Sequence, residues 1–119
     1  MFIYVPLVKN LYEFTNMRFM KNITAVTSSM NRSSYLLNTI KNCQNINNLK
    51  SHIVVDYSSV EPVENLKLDF KNLEIYRVNN QAIWNISRSY NAGFHVIETN
   101  YILKIDADVE IDSYFVNNL

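Results

Sequence analysis

The chain has 119 residues, 48% of them hydrophobic, which suits one small domain with one core and argues against disorder. Lys plus Arg (11) balance Asp plus Glu (11), so the formal net charge is zero and no clustered basic surface advertises a nucleic-acid or anionic-membrane partner. Gly93 is the only glycine and Cys43 the only cysteine, which excludes a glycine-rich phosphate loop, a dinucleotide glycine fingerprint and an internal disulfide.

Residues 1–6 are apolar, but Lys9, Glu13, Arg18 and Lys21 soon interrupt the run. The stretch is too short and too charged to span a membrane. It also lacks the basic start and small-residue cleavage site of a secretory signal. Leu7, Leu11 and Phe14 share one helical face, so residues 7–20 are expected to form an amphipathic helix. Residues 1–20 read as an appended or poorly ordered leader, and residues 21–119 as the domain. The lone cysteine fits a reducing, cytoplasmic setting. In that setting the sequons at Asn22, Asn31 and Asn85 are accidents of an asparagine-rich chain.

From Ile23 onward, strand and helix patterns alternate. Residues 23–28 are a β-branched run and predict a strand. Leu36, Leu37, Ile40 and Cys43 recur at helical spacing, with Asn31 or Ser33 as the cap. Residues 53–55 predict a buried strand that ends at Asp56-Tyr57-Ser58-Ser59. Glu61-Pro62 predicts a helix start, and Val63, Leu66 and Phe70 would form its apolar face. Residues 73–78 predict the third strand. Ile83, Ile86, Tyr90, Phe94 and Ile97 mark a long one-faced helix. Residues 101–105 predict the fourth strand, running into Asp106-Ala107-Asp108. Asp112 or Ser113 would cap a last helix beginning at Tyr114.

Strands joined by helical crossovers imply an α/β fold, a mainly parallel sheet with flanking helices. Ligands in such sheets bind beyond the carboxyl ends of the strands. Four segments are thereby selected: 27–32, 56–59, 79–84 and 106–108.

Asp106-Ala107-Asp108 is the sharpest of these. Two carboxylates one residue apart, where a strand breaks, can face one space and offer oxygen ligands to a hard divalent cation. Mg²⁺ or Mn²⁺ fills the rest of its shell with water and phosphate oxygens. The plain alternative is a solvated turn with helix-capping aspartates. Among other residues, His52 and His95 lack partners at metal spacing and read as structural. Trp84, at a helix start, reads as core or as a stacking surface, core being the commoner case. Asn79 and Asn80 read as loop residues, and Lys104 as reaching either the sheet edge or a phosphate.

The segments Trp84-Asn-Ile-Ser-Arg-Ser-Tyr-Asn-Ala-Gly-Phe94 and Asn100-Tyr-Ile-Leu-Lys-Ile-Asp-Ala-Asp-Val109 resemble family 2 glycosyltransferases. Asn91-x-Gly93 and Ile105-Asp106-Ala107-Asp108 match that family in type and spacing. Asn31-Arg32 after the opening strand and Val54-Val55-Asp56-x-Ser58-Ser59 match two further landmarks, so the resemblance covers roughly residues 22–119. It implies the nucleotide-sugar-binding half of a GT-A fold, similar to a Rossmann-type domain, and a nucleotide-diphosphate sugar as donor. It also implies roles for individual residues. Thr27 and Ser28 would line the nucleotide pocket and Asp56 would accept a hydrogen bond from the base, unless it caps the next turn. Arg88 would face the diphosphate, although many relatives place an arginine where Tyr90 stands here. Asp106 would contact the ribose or the metal, and Asp108 the metal directly. Gly93 would allow close packing of helix on sheet.

In inverting members a general base takes the acceptor proton, and it lies beyond the Asp-x-Asp motif. Glu110 and Asp112 sit too near the motif for that role. The chain is therefore expected to stop before the half that carries the base and binds the acceptor, and not to transfer sugar alone. Two other readings fit parts of the pattern. A phosphatase of the HAD type also has a strand ending in Asp-x-Asp, but needs most of its chain afterwards. A non-catalytic α/β module would bind a partner through an exposed sheet edge.

Overall fold

The computed structural model describes residues 2–6 and 22–118. Five strands form one sheet: β1 (Phe2–Pro6), β2 (Ile23–Ser29), β3 (Leu49–Tyr57), β4 (Leu73–Val78) and β5 (Tyr101–Ile105). Among the described residues, three α-helices connect or follow them: α1 (Ser33–Cys43), α2 (Ile86–Phe94) and α3 (Ser113–Asn117). The strand order is β1-β5-β2-β3-β4. β5, β2, β3 and β4 run parallel, as the helical crossovers require. Phe2–Pro6, assigned to the leader from sequence, pairs antiparallel with β5. The amphipathic helix expected over residues 7–20 lies outside the described residues.

β2 is central and buried along all seven residues. Both faces of it are covered, so its side chains serve two cores. Ala25 packs on one face with Cys43 and Leu103, while Val26 packs on the other with Val55 and Tyr90. Leu36 and Ile40 of α1 join Val54 on the first face. The two helices thus lie on opposite sides of the sheet, fixed by the alternation of side chains along each strand. Cys43 is fully buried, and burial pushes its thiol up to about 12. His52 is also fully buried, with Nε2 2.8 Å from the Thr27 hydroxyl; burial lowers its pKa to about 4 and keeps it neutral.

Several element bounds differ from the sequence reading. β3 begins four residues earlier than the apolar run, because Leu49, Ser51 and His52 find ladder partners in β2, and His52 also in β4, although Ser51 and His52 are polar. The helix expected after Pro62 is a single 3₁₀ turn, Val63–Leu66, closed by Lys67 in the left-handed region. α2 spans Ile86–Phe94 only: the Asn85 side chain accepts from the Arg88 amide and starts it, leaving Ile83 81% exposed outside. α1 is capped by neither Asn31 nor Ser33; its N-cap is Arg32, without a side-chain bond. Asp112 does cap α3, accepting from the Tyr114 amide at 2.9 Å.

Gly93 lies where α2 crosses the sheet. A Cβ there would stand 2.8 Å from Val26 Cγ1 and 3.0 Å from Val55 Cγ2. Both neighbours are short branched side chains in the core and have little room to retreat. Alanine normally gains about 1 kcal/mol over glycine within a helix, but overpacking a core costs about 1–3 kcal/mol. Gly93→Ala is therefore expected to lower stability by up to about 2 kcal/mol in urea unfolding. A more stable variant would show that the helix can lift off the sheet at no cost.

Candidate functional site

The carboxyl ends of β2 and β5, with the start of α2, enclose a cavity of about 380 Å³. Ser28, Asn31 and Arg32 line it from the β2 side, Asp106, Ala107 and Asp108 from β5, and Trp84, Ile86 and Tyr90 from α2 and the loop before it. A second depression, about 510 Å³, lies at the amino ends of the strands and includes Thr24, Lys50, Glu74 and Thr99. It is larger, but the strand direction favours the first, since loops at the carboxyl ends carry the ligand groups in parallel sheets.

The apolar run of β5 ends at Ile105, and the chain then turns at Asp106 and Ala107. Ala107 is anchored from below by the Thr39 hydroxyl of α1, which donates to its carbonyl at 2.6 Å. That bond holds the turn so that both neighbouring acids line the cavity. Asp106 is half-buried. Its Oδ1 accepts from the Tyr90 hydroxyl at 2.8 Å and from Lys104 Nζ at 2.9 Å. Burial alone would raise the pKa of this carboxyl, but hydrogen bonds to it, those from Lys104 and Tyr90 foremost, help hold the group below the usual carboxylate range. Tyr90 shifts the other way: burial, then its bond to the Asp106 carboxylate, raises its pKa and keeps the phenol protonated as a donor. Asp108 is exposed at the rim.

The opposite wall is built by a different device. Asn31 has φ 57, in the left-handed region that asparagine tolerates. Its amide donates to Ser59 Oγ at 3.0 Å, and its Oδ1 accepts from the Val60 amide at 2.8 Å. The β2 and β3 loops are thus tied together next to Arg32. Behind them, Asp56 is 1% exposed. Its Oδ1 accepts from the Ser59 amide, and its Oδ2 from the Val63 amide and from Arg77 Nη1 at 2.6 Å. Arg77 Nη2 also donates to the Ser59 carbonyl at 3.0 Å. Asp56 and Arg77 are direct register partners on β3 and β4, which is why they meet.

Of the residues selected from sequence, Ser28, Asp106 and Asp108 come together around the cavity. Ser28 is tied to α2 through a hydroxyl contact with Ser89. Thr27 points to the opposite, α1 face of the sheet, where its hydroxyl meets His52 Nε2. Asp56 clamps the loop behind the wall. Arg88 lines a neighbouring depression with Tyr57, Gln81 and Asn85, on the far side of Trp84. Trp84 is not core: it is 43% exposed and stands edge-on to Tyr57, with ring centroids 5.7 Å apart. Arg32 and Tyr90 line the cavity although the sequence assigns neither of them a ligand role. Arg32 is the only cation among the described residues of the wall; its pairing with Asn31 after the first strand was the available signal. Tyr90 reads as one more apolar position on a helical face, and nothing in that pattern marks its hydroxyl.

Among the described residues, no three His, Cys, Asp or Glu side chains converge as a ready-made metal site. Of the described residues, only Asp106 and Asp108 supply carboxylates to the cavity, with room for water and phosphate oxygens beside them. That donor set suits Mg²⁺ or Mn²⁺, which bind through one or two carboxylates, and does not suit a closed structural site. No helix among the described residues is long and apolar enough to cross a membrane.

Solved structures of S. aureus TarS (residues 1–349) share this fold. The protein without a named ligand aligns with a TM-score of 0.68 at 17% identity, covering 82% of this chain and 30% of that one. The UDP complex aligns at 0.64 and 17%, with the same coverage, and the UDP-GlcNAc complex at 0.65 and 18%, covering 82% and 29%. The chain thus spans about 30% of the length of the structures it matches. No curated protein sequence matches it significantly. The sequence pattern described as Glycosyl transferase family 2 matches residues 24–119, from the first parallel strand through the Asp-x-Asp turn and α3. The chain belongs to glycosyltransferase family 2, and its fold is the Rossmann-like N-terminal half of a GT-A domain.

Proposed function

We propose that the cavity between β2, β5 and α2 binds the diphosphate of a nucleotide-sugar donor together with Mn²⁺ or Mg²⁺, as the donor half of a sugar transferase. The observation that carries this reading is the meeting of Asp106 and Asp108 with Ser28 and Arg32 around one space at the carboxyl ends of the strands. Asp108 and Asp106 would hold the cation. Bound there, the cation would offset the charge of a leaving nucleoside diphosphate. Arg32 lines this cavity whereas Arg88 lines the neighbouring depression, which supports Arg32 as the partner of the phosphates, since a guanidinium can pair with two of their oxygens. The exposed face of Trp84 offers a stacking surface at the same mouth. The binding of UDP and UDP-GlcNAc by the structural neighbours supports a uridine nucleotide as the first ligand to try.

In transfer, an acceptor hydroxyl attacks the anomeric carbon, the nucleoside diphosphate departs, and a base takes the hydroxyl proton. We assign that base to none of the residues here. Glu110 and Asp112 are exposed, and Asp112 is engaged in capping α3. Transfer thus calls on groups beyond the part of the fold that this chain shares with its neighbours. A cytoplasmic setting, where nucleotide sugars are abundant and the buried Cys43 stays reduced, fits the reading.

Thermal unfolding with Mn²⁺ alone, UDP alone and both together tests the binding. A ligand that binds only the folded chain raises the midpoint. The expected result is a clear rise with UDP and Mn²⁺ together and little with either alone. A response to neither nucleotide nor metal would favour a non-catalytic module.

A further inference from the structure

The Asp106 carboxylate already has a cation. Lys104 Nζ lies 2.9 Å from Asp106 Oδ1, and its side chain is only 13% exposed. The ammonium also sits over the Tyr90 ring, 4.3 Å from its centroid, a position that the ring quadrupole favours. Lys104 faces the α2 side of β5, next to Val26 in the register with β2. It does not line the cavity; it stands behind the acid that does. Both its contacts restrain it there, and the low exposure keeps water from screening its charge.

We infer that Lys104 is a resident counter-ion of Asp106 that sets how tightly the Asp-x-Asp turn holds a divalent cation. This rests on the reading of Asp106 and Asp108 as metal ligands. An ammonium sharing a carboxylate with a metal withdraws charge from the ligand and repels the ion. The site is thereby weakened for the bare cation. Retention then depends on the phosphate oxygens that arrive with the nucleotide, so metal and donor load together. Lys104 is a positioning residue: it acts on the metal through Asp106.

The test is Mn²⁺ binding to the 119-residue chain, read by electron paramagnetic resonance of free Mn²⁺ without nucleotide. Lys104→Met is expected to bind Mn²⁺ about tenfold tighter than the parent, the lower end of what groups behind metal ligands usually change. Lys104→Arg keeps the charge and is expected to stay near the parent. Circular dichroism shows whether each variant is folded. Asp108→Asn, measured alongside, tests the underlying reading by abolishing the binding. If Asp108→Asn abolishes binding but Lys104→Met binds Mn²⁺ no tighter, or more weakly, the metal site stands and the counter-ion role is wrong. If Asp108→Asn binds like the parent, or no Mn²⁺ binds to any form even with UDP, both ideas fall.

Discussion

Asp56→Ala is expected to cost about 3–5 kcal/mol of folding stability, the scale seen when one partner of a buried, hydrogen-bonded charge pair is removed. Three donors lose their acceptor at once: the amides of Ser59 and Val63, and the Arg77 guanidinium. Ser59 and Val63 are buried, so water does not replace the lost bonds. Such a loss is a large share of the roughly 5–15 kcal/mol that holds a domain together. Arg77→Met should cost somewhat less, about 2–3 kcal/mol: it leaves the buried Asp56 carboxylate without its cation, but that carboxylate keeps its two amide donors. Urea unfolding of both variants measures the order. It also separates two roles for Asp56. An acid kept for the nucleotide base would give a variant of near-parent stability with weakened UDP binding. The geometry predicts the reverse: a damaged fold, with the Asn31–Ser59 tie and the Arg32 wall disturbed along with it.

Asp108→Asn is the second large effect, and it should fall on binding alone. Asp108 is exposed, so its replacement leaves the core untouched. The neutral amide is a poor ligand for a hard cation, and the Mn²⁺-dependent part of UDP affinity is expected to fall about 100-fold. Asp106→Asn should lose the same binding and also some stability, because Lys104 and Tyr90 both donate to that carboxylate. Isothermal titration with and without Mn²⁺ reads the difference. Unchanged Mn²⁺ dependence in Asp108→Asn would move the metal away from this turn.

These two predictions mark what could and could not be read from sequence. The β5 run and the acids after it were legible because five apolar-rich residues end abruptly in Asp-Ala-Asp, and a parallel sheet puts that break at the ligand end. Gly93 was legible for a similar local reason: a lone glycine inside a helical pattern has few purposes other than close approach. The Asp56–Arg77 pair was not legible. It exists because β3 and β4 pair in a register that sets those two residues side by side, and register is a property of two distant segments. The same holds for Arg32, whose place on the wall depends on the tie from Asn31 to the β3 loop. Trp84 misled because a helix-start tryptophan is commonly buried, whereas here α2 starts after it and leaves the ring at the cavity mouth. Thr27 and Ser28 show how sharp the two-residue period is. Adjacent on one strand, they point to opposite faces; Thr27 reaches His52 and Ser28 reaches the cavity.

The most direct measurement is anomalous diffraction at the manganese edge from crystals of the chain grown with UDP and Mn²⁺. One strong peak is expected between the Asp106 and Asp108 carboxylates, with the diphosphate beside it and facing Arg32. Manganese or nucleotide seated elsewhere, in the depression around Lys50 and Glu74 or against a displaced Asp56, would contradict it.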